Sequence, residues 1–399
     1  MPGCCAGAAP PAALGRSMTA EDHTDRMPAT MRPERDEGLT EVPMADIAEN
    51  TEAHRRFWSG EGPSLIFIPH DRADLYDITD YRTRFDDPSR MYASELARAE
   101  PIADWPTDGI PTIRPNLGTI FIPAGVGQEY EVRPEAMPWP GATMTQEALR
   151  ARFGHSLADA DLMRRALRFY ELAAANESVY AYHADTQGVF DIAHILYGEE
   201  LFLEMAAGDE QDWVRELLDA CLKWYAEATE LMKEAIGEPR SEMVHGHGTP
   251  QGLYFPSAGA RISEDTATLL SPRMIEQQLL PYMERSATTF GGAFVHYCGK
   301  HDALFEMLCE APWCRAIDLG NPEMYEPEFL AAKAAATDTV LYTRLPAEEN
   351  EDWKAYVRRI GILVQNTGVR VVFRPLEYPS DRSACAEMKG RSHEMTERT

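Results

Sequence analysis

The stretch Ala293–Asn321, AFVHYCGKHDALFEMLCEAPWCRAIDLGN, carries the pattern that decides the fold. AFVHYCG (293–299) reads as a strand, HDALFEMLCEA (301–311) as a helix and RAIDLGN (315–321) as the next strand. The alternation continues outward in both directions. Downstream lie a helix at 326–336, the strand TVLYTRL (339–345), a helix at 348–362 and the strand VRVVFRP (369–375). Upstream, Ser271-Pro272 opens a helix at 272–289, and EMVHGHG (242–248) is a strand and loop. A long helix at 209–236 is striped by Trp213, Leu217, Cys221, Trp224 and Leu231. Before it, VYAYHADTQG (179–188) is a strand and loop leading to the short helix DIAHILYG (191–198). Strands separated by helices predict parallel pairing through right-handed crossovers. Five or more such units favour an α/β (β/α)8 TIM-type barrel over an open sheet.

The N-terminal part is less regular. AHRRFWSG (53–60) predicts a short helix, SLIFIP (64–69) a strand and residues 86–99 a capped helix. Residues 101–143 carry eight prolines among short apolar runs, which predicts an irregular extension crossing the barrel mouth. Residues 144–175 return to amphipathic helix, with Thr145 as a cap. The domain limits follow: a flexible leader over 1–48, one barrel domain over 49–376 and a weakly ordered tail over 377–399.

Sixty-five acidic against 38 basic residues give a formal charge of −27, which repels phosphate backbones and anionic lipid. Nucleic-acid and membrane partners are therefore not expected. No apolar run approaches the ~20 residues of a membrane span, and the start lacks the apolar core of a signal peptide. Seven cysteines without a disulfide-like framework point to a reducing, cytoplasmic setting.

The chemistry is expected at strand ends. His296 and Cys298 lie two apart, so they share one face of their strand, and both should face the barrel axis at its C-terminal end. Imidazole and thiolate are ligands that zinc prefers, although the same pair also suits a core histidine beside a small buried cysteine. His245 and His247, separated by Gly246, repeat that spacing at another strand end. They could complete a metal site, hold a carboxylate or act as bases, or simply be turn residues. Asp185, Asp318, Asn321, Arg344 and Arg374 are further rim candidates, with Arg374 a possible anion clamp or a partner of Glu377. Glu264 and Asp265 could close a metal site or accept a proton, or form a solvated acidic turn.

The block RISEDTATLLSPRMIEQQLLPYMERSATTFGGAFVHYCGKHDALFEMLCEA (261–311) resembles the uroporphyrinogen decarboxylase superfamily, in which an acidic pair precedes SP and LPY motifs and a strand ends in H-x-C-G. Residues 179–219 look like the family's preceding strand, loop and long helix, and RPNLGTIFIPAGVGQEYEV (114–132) resembles its early active-site loop. The resemblance spans roughly residues 52–375. It implies a (β/α)8 barrel acting either as a cofactor-free decarboxylase or as a zinc-dependent methyltransferase that exchanges methyl groups with a corrinoid. The arginine-rich motif of the decarboxylases is absent, and Asn116 takes the place of their aspartate. The methyltransferase branch implies zinc on His296 and Cys298, but Phe373 and Arg374 stand where its last-strand cysteine is expected. The third ligand is then expected from His247, with His245, Asp265, Glu264 and Cys385 as the alternatives. The resulting expectation is a zinc- and corrinoid-linked methyltransferase acting on a small molecule. His245, His247, Asp265 and Arg374 would be catalytic, and Asn116, Asp185, Asp318 and Arg344 would bind substrate. A corrinoid protein or a second copy of the chain would be its partner. The alternatives are a metal-free carboxy-lyase for an acidic substrate and a non-catalytic binding barrel.

Overall fold

Strands whose residues are apolar on both faces must be covered on both, and this requirement organises the molecule. The computed structural model describes residues 47–69, 81–103, 105–133, 136–207, 212–375 and 381–396. All fall within one compact unit, Met44–Thr399. The expected leader lies outside the described residues except for its last two positions.

The strands in chain order are β1 (Leu65–Phe67), β2 (Ile110–Ile113), β3 (Tyr130–Arg133), β4 (Ala136–Pro140), β5 (Tyr180–Ala181), β6 (Met243–His245), β7 (Gln251–Phe255), β8 (Ala260–Ser263), β9 (Ala293–Tyr297), β10 (Cys314–Leu319), β11 (Val340–Thr343) and β12 (Val371–Phe373). Six of them form a parallel sheet in the order β1-β12-β11-β10-β9-β8, and a second sheet runs β5-β2-β7-β6. Single backbone bonds cross between the two groups, from Asp108 N to Phe67 O (2.9 Å) and from Gly188 N to Ser263 O (2.6 Å). The architecture is mixed α/β, with helices alternating with parallel strands. Among the described residues no helix is long and apolar enough to cross a membrane.

Alternate residues of the parallel sheet sort into two packed clusters. Ile66, Phe294, Ala316, Val340, Tyr342 and Val372 meet Met243, Leu253 and Phe255 of the β6–β7 hairpin. Their neighbours Val295, Ile317, Leu341, Val371 and Phe373 pack against the helices. The period of two thus sends one set toward the hairpin and the other outward. The helix Ile47–Ser59 covers the hairpin's other side, where Trp58 Nε1 donates to Tyr254 O (2.8 Å).

Four expectations need correction. EMVHGHG is not a parallel barrel strand: β6 pairs antiparallel with β7, which pairs antiparallel with β2. The segment 101–143 is not wholly irregular, since β2 pairs in parallel with β5. Between EMVHGHG and the helix expected at 272–289, where no element is expected, ARIS (260–263) forms a strand, β8. Finally, the described part of the tail is not weakly ordered. Arg382–Thr396 is a helix with Cys385, Met388, Ser392 and Thr396 buried. Ser64 N donates to Thr396 O (3.2 Å), while Lys389 and His393 reach the buried Asp108 at 3.1 and 3.0 Å.

Candidate active site

The registered row Ser263, His296, Asp318, Tyr342, Val372 and Ile66 crosses six neighbouring strands near their C-terminal ends. Phe294, two residues before His296, packs into the hairpin-facing cluster, so alternation turns His296 and Cys298 the same way. His296 is buried, with its two ring nitrogens in different company. Nδ1 lies 2.9 Å from Asp318 Oδ2, whereas Nε2 lies 3.5 Å from Cys298 Sγ and 3.5 Å from Asp265 Oδ1. Asp265 also accepts a bond from the backbone N–H of Cys298 (2.8 Å). Room for the thiol comes from Gly320, where a Cβ would fall 2.5 Å from Cys298 Sγ.

His247 comes from the loop of the hairpin rather than from a barrel strand, with a left-handed φ of 46°. Its ring centroid lies 4.3 Å from that of His296, and its Nδ1 approaches Asp318 Oδ2 to 3.2 Å without the alignment of a hydrogen bond. His245 is set further back against Tyr182 and Phe294, and its Nδ1 accepts from His247 N (3.0 Å). Burial, with nearby guanidinium groups, holds both imidazoles well below their ordinary pKa, so both are neutral. Asp318 behaves oppositely. Burial pushes its carboxyl up, but His296 and Arg344 outweigh burial and keep it below the usual carboxylate range.

Arginines ring this group. Arg344 lies 3.8 Å from Asp318, and Arg261 reaches Asp185 at 2.5 Å, with Arg114 at 3.8 Å from the same carboxylate. Burial raises the Asp185 pKa, and the two guanidinium groups more than reverse it. Arg374 donates to Tyr342 Oη and Thr249 Oγ1, both at 2.6 Å. Asn321 braces the turn after Cys298 by accepting from Gly299 N (2.9 Å).

Glu264 points away from the histidines. Its carboxylate accepts from Phe190 N and Asp191 N at the start of the helix Val189–Tyr197, while Asp191 accepts in return from Asp265 N and Thr266 N. A Cβ at Gly188 would meet Glu264 Oε1, so that position stays bare. Burial pushes both carboxyls upward, with added repulsion from Asp265 on Asp191 and from Asp191 on Glu264. This reciprocal capping fixes the entry of Asp265 into the site. Asn116 is not brought into the group: it borders a separate small cleft with Tyr81, Arg84, Met91 and Glu95. Arg261, Asp191, Thr249 and Tyr342 are site residues that sequence reasoning missed. Only Tyr342, in the inward phase of a clear strand, left a usable signal.

Among the described residues two sets of three could hold a metal: Asp265, His296 and Cys298, or His247, His296 and Asp318. Zinc bonds of about 2.0–2.3 Å at tetrahedral angles separate ligand atoms by about 3.3–3.6 Å. In the first set the two spacings from His296 Nε2, to Cys298 and to Asp265, are both 3.5 Å and match, whereas 2.9 Å between Asp318 and His296 is a hydrogen-bond distance.

No protein-family model matches the chain, and no curated protein does. Among solved structures, a methyltransferase from Methanosarcina mazei superposes with a TM-score of 0.62 over 86% of this chain and 98% of its own, at 11% identity. A likeness at that identity establishes a shared fold.

Proposed function

We propose that the parallel strands close into a (β/α)8 barrel and that the chain is a zinc-dependent methyltransferase working with a corrinoid. The observation that carries the reading is the set Asp265, His296 and Cys298, spaced for a tetrahedral ion in a fold shared with a methyltransferase. Bound there, zinc would lower the pKa of the group that accepts the methyl, supplying a nucleophile at neutral pH. Asp318 accepts the Nδ1 proton of His296 and so presents the Nε2 lone pair toward Cys298 and Asp265. Asp265 in place of a second cysteine makes the donor set harder than a two-thiolate site. Neutral His247, beside the ring of His296, would accept a hydrogen bond from the methyl acceptor. The corrinoid, free or carried by a partner protein, is the other methyl-bearing partner, and no residue is assigned to it.

The test is metal analysis of protein purified with zinc present, together with a spectral assay of methylcobalamin demethylation. About one zinc per chain and zinc-dependent demethylation are expected. Protein that takes up no zinc would overturn the reading in favour of the metal-free lyase.

A further inference from the structure

Arg374 is 1% exposed, and among the described residues no carboxylate lies within 4.0 Å of it. Its guanidinium is held by two neutral hydroxyls, those of Tyr342 and Thr249, and lies 4.8 Å from the Tyr342 ring centroid. Its Nε is buried with no hydrogen-bond partner. The contrast with its neighbours is direct, since Arg261 and Arg114 share Asp185 and Arg344 faces Asp318. A buried cation without a counter-charge is costly, so an arrangement of this kind calls for an anion.

Unsatisfied atoms in the same region point the same way. Besides Arg374 Nε, the buried atoms Arg261 Nε, Ser263 Oγ, His247 Nδ1 and Asp318 Oδ1 lack hydrogen-bond partners. Guanidinium nitrogens can only donate, and only Asp318 is restricted to accepting. The missing complement is mainly an acceptor. Thr249 can release the guanidinium and still keep the bond its own hydroxyl donates, because that proton goes to the carbonyls of Gly246 (2.7 Å) or Gln251 (2.9 Å).

We propose that Arg374 is the anchor of a carboxylate-binding subsite and that the substrate is a small organic acid. Its carboxylate takes the place of the Thr249 hydroxyl on the guanidinium, exchanging a bond to a neutral oxygen for bonds to a counter-charge. The planar fork fits a planar carboxylate in two-point contact. For the reaction this inference rests on the methyltransferase reading; for binding it stands alone.

Calorimetric titration of the full chain with succinate, its neutral diamide and inorganic phosphate tests it, with the protein both zinc-loaded and stripped by chelator. Saturable binding of succinate but not of the diamide is expected. Arg374→Gln should weaken succinate by about 10- to 100-fold while zinc content is unchanged. Thr249→Val should bind succinate at least as tightly as the parent, a result that misfolding cannot produce. Equal binding of acid and diamide, an unchanged affinity in Arg374→Gln, or phosphate binding where succinate does not, would each overturn the proposal. Succinate binding without zinc uptake would sink the metal reading alone, and zinc uptake without succinate binding would sink this one alone.

Discussion

The Asp318 carboxylate sits 2.9 Å from Nδ1 of His296, on the opposite edge of the ring from Cys298 and Asp265. One residue thereby sets which nitrogen carries the proton. Asp318→Asn keeps the shape but can offer an amide N–H to Nδ1, which favours the tautomer with Nε2 protonated. Zinc affinity, measured by chelator competition, should fall by roughly 10- to 100-fold. An unchanged affinity would show that the orientation of His296 is set elsewhere.

Cys298 supplies the thiolate of the proposed set, and its space depends on a bare neighbour. Cys298→Ser should lose most of the zinc, because a neutral hydroxyl replaces a thiolate that deprotonates on binding. Gly320→Ala should lower zinc content too, since the added methyl must displace the sulfur from 2.5 Å. Cys309→Ser and Cys314→Ser should retain it. The measurement is metal content per chain by plasma mass spectrometry.

The C-terminal helix contributes to stability. Ending the chain at 380 removes Lys389 and His393 from Asp108, whose side chain is 2% exposed, and strands that charge in the core. Loss of partners from a buried charge costs roughly 3–5 kcal/mol. Urea unfolding should show a loss of that order, and an unchanged midpoint would show that the helix is dispensable.

Asp108 also gives a pH signature. Burial pushes its carboxyl up, but His393, Lys389 and the N–H of Phe67 outweigh that and bring its pKa down to about 2. A carboxyl whose folded pKa lies below its unfolded value stabilises fully above about pH 4 and loses that contribution as pH falls toward 2. The shift corresponds to roughly 2 kcal/mol. The stability gap between the parent and Asp108→Asn, measured by urea unfolding at several pH values, should therefore narrow by about that much between pH 5 and 2. A constant gap would contradict the assignment.

Much of the parallel sheet is legible because β9 to β12 are buried on both faces and read as short apolar runs between helices. His296, Cys298, Asp318, Arg344 and Arg374 are visible for the same reason, as polar residues at the ends of those runs. β8 is hidden because ARIS alternates a charged and a hydroxyl side chain inward, and those inward residues belong to the site. The antiparallel direction of β6 is set by pairing with β7, and three residues before a glycine loop look the same in either direction. The tail helix is weakly amphipathic and interrupted by Gly390. It is anchored by contacts to Asp108, more than 280 residues away, which no local periodicity can reveal.

The strand ends beyond the registered row have a consequence for descent. Counting two residues on from Ser263, His296, Asp318, Tyr342 and Val372 gives Asp265, Cys298, Gly320, Arg344 and Arg374. Each follows the end of a different strand, and the backbone ladder below them is built from other residues. The side chains at these five positions can therefore be exchanged one strand at a time without altering the ladder that holds them. Relatives sharing this scaffold can then differ in chemistry by a handful of substitutions while remaining superimposable.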